Sequence, residues 1–273
     1  MDSTGSDDVP RIRRVSVPVD TRAPEGTTNA YLVDGLLVDP AARTADLDET
    51  IAAHEPGVEA IAVTHTHRDH VGAVAHYAAD TDATVYAHAD HVKRFVDATG
   101  IRPDATVRDG DAIDETGDGA HVVALGAPGH APDHVAFAVG DPGTADPREA
   151  LVGDLAVAAG SVVVGGPDAD MRAYLESLER VRDGGFRRLY PGHGAPIDDP
   201  DAACQRLIDH RLDREEAVLA AVDRGASDVD AVLDAAYEKD LTGVEDLARA
   251  TVVAHLEKLV GEGRIDGAWL DDA

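Results

Sequence analysis

The chain has 273 residues with 44% hydrophobic side chains, enough for a packed core and far above a disordered composition. Its 53 acids against 24 bases give a formal charge of −29, which at ordinary ionic strength disfavours nucleic acid and anionic membranes. Apolar runs such as 217–222 fall far short of the roughly 18 residues that a membrane span needs, and a single cysteine, Cys204, excludes an intramolecular disulfide and a thiolate zinc cluster.

Only three bases are lysines (Lys93, Lys239, Lys258) and aromatics make up 4%. An aspartate surplus with scarce lysine resembles halophilic proteomes, where the Debye length shrinks to about 3 Å and net charge stops predicting partners. The acidity is therefore read as habitat. The amino terminus is acidic, with no basic n-region or apolar h-region, so a cytoplasmic protein without membrane attachment is expected.

In chain order, residues 1–10 read as a disordered lead. Strands are expected at 14–19, 29–33 and 36–39, the last two joined by an Asp34-Gly35 turn. A helix over 44–54 ends before Pro56, and a buried strand follows at 59–64. Helices at 70–79 and 91–99 flank a strand at 84–87. Strands at 122–127, 135–139, 150–152 and 162–164 lead to an amphipathic helix over 171–182 and a strand at 188–190. Such alternation predicts a layered α/β architecture. After Pro200 the pattern turns helical, with Leu207, Ile208, Leu212, Val218, Leu219 and Val222, and later Leu247, Thr251, Val252, Leu256, Leu259 and Val260, at helical spacing. A shorter helix at 228–238 lies between them, and 263–267 reads as a β wing. The expectation is a winged-helix module after a boundary near Ala203, dividing the chain into 1–203 and 204–273.

The chemistry concentrates in Thr64-His65-Thr66-His67-Arg68-Asp69-His70. Given 13 histidines in the chain, a chance His-x-His-x-Asp-His arises roughly four times in a thousand. His65 and His67 follow a strand and can close on one cation, while Asp69 and His70 open the next helix and face a neighbouring position. Neutral imidazoles with a carboxylate select a borderline-soft divalent ion such as zinc. The plain alternative, a polar helix start with Asp69 as cap, leaves three further strand-to-loop junctions unexplained. These are Pro128-Gly129-His130, Gly153-Asp154 and Pro191-Gly192-His193-Gly194, where proline and glycine let the chain turn while presenting one side chain.

With these residues, positions 12–200 resemble the metallo-β-lactamase superfamily, whose fold is an αββα sandwich with its metal site along one edge of two packed sheets. Residues 28–33, 129–134 and the 254–259 helix are similar to the LACTB-two-like branch, which adds a C-terminal winged helix. The resemblance implies that His65, His67 and His130 hold one metal, that Asp69, His70 and His193 hold a second, and that Asp154 bridges them. Two Zn²⁺ are implied, with iron or manganese as substitutes. It also implies that Asp39 hydrogen-bonds behind the ligands, although Pro40 departs from the usual pattern there. Asp69 further becomes the residue that orients or deprotonates the attacking water, a hydroxide bridging the metals with its pKa lowered toward about 7.

The substrate stays open between single-stranded RNA and a small ester or thioester, including hydroxyacyl-glutathione. The C-terminal region from residue 206 carries 17 acids and 8 bases and no basic stripe, so sequence-specific DNA binding is not expected. The contrasting class is a winged-helix regulator with a decayed sensor domain. His54, His76, His88, His91, His121, His210 and His255 read as ordinary solvated or core histidines, and Cys204 as packing. His134, four residues beyond His130, could reach substrate. Oligomeric state is not legible.

Overall fold

The computed structural model describes residues 12–54, 57–113, 121–140, 147–237 and 240–270. The expected lead at 1–10 lies outside them. One sheet has six strands in chain order: β1 (Ile12–Pro18), β2 (Thr27–Val33), β3 (Leu36–Val38), β4 (Ala60–Ala62), β5 (Thr84–His88) and β6 (Ala105–Val107). The β1–β2–β3 ladder is antiparallel and β3 to β6 run parallel. The other sheet has the order β11-β10-β9-β8-β7, built from β7 (Ala112–Ile113), β8 (His121–Gly126), β9 (Val135–Gly140), β10 (Pro147–Gly153) and β11 (Arg188–Pro191).

Side-chain alternation assembles the layers. Val33, Leu36 and Val38 point between the sheets with Val122, Phe137 and Leu151, whereas Leu32 and Leu37 point outward. The outward set packs under α1 (Ala45–Ala52), α2 (Arg68–Val71), α3 (Val74–Thr81) and α4 (Val92–Thr99), through Leu47, Val71, Tyr77 and Phe95. On the far side, Ala138, Ala150 and Val152 meet Met171, Tyr174 and Leu178 of α5 (Met171–Asp183) and Leu207 of α6 (Pro200–Asp223). With both faces of each sheet covered, the strands read as continuous apolar runs. The result is the expected αββα sandwich.

Helix α6 starts on the Asp199 cap with proline in its first turn and continues unbroken to Asp223, so position 204 lies inside it. Its first half packs on the sandwich through Cys204 and Ile208, and its second half joins Val218 and Ala221 to α7 (Val229–Ala236) and α8 (Glu245–Gly261) in a separate small core.

Several expectations need correction. The helix expected at 70–79 is two, α2 and α3, because the Ala73 amide is diverted to the Pro40 carbonyl at 2.9 Å. Strands β6 and β7 are too short to show a period. Residues 162–164 form no strand: the Val162 carbonyl accepts from Arg211 and that of Val163 from His130. The β wing expected at 263–267 is absent among the described residues. The Gly263 and Arg264 amides return to the α8 carbonyls of Val260 and Leu259 at 2.9 Å each, and Gly267–Leu270 closes as a 3-10 turn. The end of the helix expected at 228–238 lies outside the described residues, α7 ending at Ala236. No helix among the described residues is long and apolar enough to cross a membrane.

Candidate metal centre

Strands β3, β4, β8, β10 and β11 all deliver their C-terminal ends to one edge of the sandwich: β3 and β4 pair parallel, β10 and β11 pair parallel, and β8 and β10 flank β9 in an antiparallel ladder, where strands two apart run the same way. Asp39 follows β3, His65 and His67 follow β4, His130 follows β8, Asp154 follows β10 and His193 follows β11. Backbone bonds draw the loops together: Val135 N–H donates to the Thr64 carbonyl at 2.7 Å, and Gly192 N–H to the Gly153 carbonyl at 2.8 Å. At Gly192 the approach leaves no room for a side chain, since a Cβ would lie 2.6 Å from Asp154 Oδ1 and 2.7 Å from His70 Cε1.

The seven residues named from the sequence meet here. Donor atoms of His65, His67 and His130 lie within 4.8 Å of one another, and so do those of Asp69, His70 and His193. A third such group, His65, His70 and Asp154, links the two. Asp154 stands between the sets: its Oδ1 is 3.5 Å from His70 Nε2, and its Oδ2 is 3.6 Å from His130 Nε2 and 3.4 Å from His193 Nε2.

Four of the five imidazoles are oriented from behind. His130 Nδ1–H donates to the Val163 carbonyl at 2.8 Å, and His193 Nδ1–H to the Thr27 carbonyl at 2.7 Å. His70 Nδ1–H donates to Asp39 Oδ2 at 2.9 Å. His65 Nδ1–H donates to Thr64 Oγ1 at 3.1 Å, and that hydroxyl donates on to Asp39 Oδ2 at 2.7 Å. These bonds make Nδ1 the donating atom of each ring, so that four Nε2 atoms turn toward a common space. His67 differs, presenting Nδ1 at 2.9 Å from His130 Nε2. Among the described residues, the buried His65 Nε2, His70 Nε2 and Asp154 Oδ1 have no hydrogen-bond partner. Buried polar atoms left unpaired in this way cost several kcal/mol each, roughly, unless a ligand satisfies them.

Electrostatics point the same way. Burial, reinforced by neighbouring histidines, holds His65 well below the usual imidazole range and His67 down at about 4. Burial also opposes charge on His70 and His193, yet Asp154 beside both, with Asp39 behind His70, raises them. Burial would lift Asp154, but His70 and its neighbours keep it well below the carboxylate range. Dense imidazole with buried carboxylate, and nitrogen lone pairs held open, is the donor chemistry of a borderline-soft cation.

The structure also corrects and extends the sequence reading. His134 does not line the cleft: it is buried behind Asp154, accepting that residue's backbone N–H on Nε2 at 3.1 Å, and burial pushes it down to about 3. Asp39 accepts from Thr64 N–H, Thr64 Oγ1 and His70 despite the Pro40 departure. Thr64 and Thr21 were not singled out from sequence; Thr21 Oγ1 donates to Asp69 Oδ2 at 2.6 Å. A threonine directly before the first histidine is a local signal, whereas nothing near Thr21 announces its partner. His54, expected on a helix, lies just beyond α1. His255 is fully buried in α8 with Nδ1 3.7 Å from Glu215. None of the seven histidines read as ordinary enters a metal-competent group among the described residues. Cys204 is buried, and burial pushes its thiol up to about 12, as a packing residue requires.

A cleft of about 580 Å³ opens over the site, walled by Thr21, Ala23 and Pro24 on one side, Val157 and Val163 on another, and Leu247 of α8.

Comparison with known proteins places this geometry. Residues 23–193 match the metallo-beta-lactamase superfamily. The chain is 28% identical to the beta-lactamase-like protein 2 homolog of Drosophila melanogaster, over 87% of this chain and 84% of the fly protein. It is 30% identical to an atrochrysone carboxyl ACP thioesterase of Aspergillus fumigatus, over 71% of this chain but only 59% of the fungal protein. Among solved structures, a metallo-beta-lactamase family protein from Thermus thermophilus superposes with a TM-score of 0.72 at 26% identity, covering 92% of this chain and 94% of its own.

Proposed function

The chain belongs to the metallo-beta-lactamase superfamily and is a metal-dependent hydrolase, with beta-lactamase-like protein 2 homologues among its relatives, and from that premise we propose a dinuclear enzyme that hydrolyses small acyl thioesters. His65, His67 and His130 would hold one cation, Asp69, His70 and His193 the other, and Asp154 both. Zinc is the favoured ion, with iron or manganese able to substitute. The single observation behind this reading is the convergence of four Nε2 atoms, each on a ring held by a bond at its Nδ1, around a buried carboxylate oxygen without a partner.

When bound, such cations lower the pKa of coordinated water toward about 7 and polarise the scissile carbonyl. The residues of this chain do the rest. Asp69 has one oxygen held by Thr21 and lies 3.6 Å from His193 Nε2, a position from which it orients water or takes its proton. Ala23, Pro24, Val157 and Leu247 give the cleft an apolar wall suited to an acyl chain, and keep bulk water off the reacting carbon.

Thioester is preferred to RNA because part of the cleft wall is apolar and several relatives are named as ACP thioesterases. The regulator reading has no support among the relatives. A second unit from about residue 204, without a wing strand, would serve as a wall of the cleft rather than as a DNA reader, and a cytoplasmic, high-salt setting is consistent with the composition. The test is an activity panel on metal-loaded protein in molar KCl, comparing an acyl thioester, a lactone, bis-p-nitrophenyl phosphate and single-stranded RNA. Thioester turnover should exceed the others by at least tenfold; dominant RNA or phosphodiester cleavage overturns the substrate class.

A further inference from the structure

The role of the C-terminal helices is not explained by the hydrolase chemistry, yet they touch two of the loops that orient candidate ligands. The first loop follows β1. Arg22 reaches from it to α8, forking onto Asp246 with Nη1 to Oδ2 at 2.8 Å and Nη2 to Oδ1 at 3.1 Å, and donating Nη2 to the Gly243 carbonyl at 2.7 Å. Next to Arg22, Thr21 Oγ1 holds Asp69 Oδ2. A continuous series of bonds thus runs from the start of α8 through Arg22 and Thr21 to a carboxylate of the candidate site.

The second loop is 157–165, whose Val163 carbonyl accepts His130 Nδ1–H. Gly165 lies flat against α8, where a Cβ would come within 2.5 Å of the Ala250 carbonyl carbon and 2.7 Å of its oxygen. Arg211 of α6, itself buried, donates to the Val162 carbonyl next door. One helical unit therefore braces two separate loops, and each loop orients one residue of a different triad: Asp69 in one, His130 in the other.

We propose that helices α6 and α8 form a positioning frame for the metal centre, acting on one cation site through Asp246, Arg22, Thr21 and Asp69, and on the other through Ala250, Gly165, Val163 and His130. The inference rests on the dinuclear reading above and adds to it a task for the second unit. Neither Arg22 nor Asp246 touches the candidate ligands directly. Their effect passes through Thr21, so they are positioning residues.

The test is titration of chelator-stripped protein with Co²⁺, read by visible absorbance, with circular dichroism to check folding. Wild type should bind two equivalents. Thr21→Val should weaken one equivalent about 10- to 100-fold, the usual effect of losing a group that orients a ligand, and Thr21→Ser should restore it. Asp246→Ala removes an exposed pair, for which about three- to fivefold is expected, and Arg22→Ala, losing the Gly243 bond as well, about tenfold. Either change combined with Thr21→Val should add nothing, since the groups act in series. Gly165→Ala should weaken the other equivalent, so that Gly165→Ala with Arg22→Ala weakens both. Wild type binding fewer than two equivalents would bring down the dinuclear reading. Wild type binding two, with folded Arg22→Ala unchanged or with its effect adding to that of Thr21→Val, would bring down the frame alone. If Gly165→Ala does not fold, the Arg22 and Asp246 results decide.

Discussion

Replacing Asp39 by asparagine isolates the orienting shell without touching a candidate ligand. Asp39 sits at φ +52°, a left-handed conformation that asparagine adopts readily, so the substitution adds little backbone strain. Its carboxylate is used only as an acceptor, from Thr64 N–H at 2.6 Å, Thr64 Oγ1–H at 2.7 Å and His70 Nδ1–H at 2.9 Å, the last two on one oxygen. An amide must place NH₂ on one side. Kept on the Thr64 backbone, its oxygen leaves the NH₂ facing two donors. The Thr64 hydroxyl can rotate away, but His70 can comply only by giving up the proton on Nδ1 and keeping one on Nε2, the atom 3.5 Å from Asp154. That proton blocks the lone pair a cation would use. Loss of such an orienting carboxylate weakens metal binding by about 10- to 100-fold, or roughly 1.4 to 2.7 kcal/mol. The apo protein should lose a further ~1.5 to 3 kcal/mol for a hydrogen bond to a charged group. Competition against a chelator reads the first quantity, and urea unfolding of stripped protein reads the second. An Asp39→Asn protein whose metal affinities stay within twofold of wild type would refute the tautomer argument.

Asp69→Ala should abolish turnover of the metal-loaded protein while its circular dichroism and melting temperature stay near wild type; unchanged activity would remove Asp69 from the reaction. Metal uptake should release protons near neutral pH, because His70 and His193 are raised by Asp154 and must lose a proton to bind. Calorimetry in buffers of different ionisation enthalpy reads the number, and a buffer-independent heat would contradict it. In the C-terminal unit, Glu215 is buried and accepts from Lys258 at 2.8 and 3.0 Å and from Arg264 at 3.2 Å. Burial opposes its charge, but His255 and Lys258 draw it down to about 2 from an ordinary 4.5. A depressed carboxylate contributes stability that is present above pH 4.5 and lost as pH falls through about 2, on the order of 1 to 2 kcal/mol once solvent screening is allowed for. Glu215→Gln should therefore melt lower than wild type at pH 6, with the gap closing toward pH 2; a gap that is constant with pH would rule the ion network out as its source.

Local chemistry carried much of the reading. His-x-His-x-Asp-His and the Pro-Gly-His turns are short-range patterns, since a strand end and a sharp turn present their side chains whatever the remainder of the chain does. Alternation such as Leu36-Leu37-Val38, with neighbours entering different cores, likewise makes the layers legible from residue order. The failures share a cause. The 162–164 run looks like a strand because Val-Val-Val is apolar, but its carbonyls are taken by Arg211 and His130, respectively 49 and 33 residues distant in sequence. The wing at 263–267 yielded to amides folding back on α8.

What the amino-acid order determined by itself, then, is which side chains can ligate and on which strand ends they stand. Only the tertiary structure decided which nitrogen of each imidazole is open, because that depends on carbonyls and hydroxyls supplied from far along the chain, Thr27 to His193 and Val163 to His130. It also decided that Thr21 and Arg22 tie Asp69 to a helix more than 170 residues away, a relation between distant segments that no local spacing encodes.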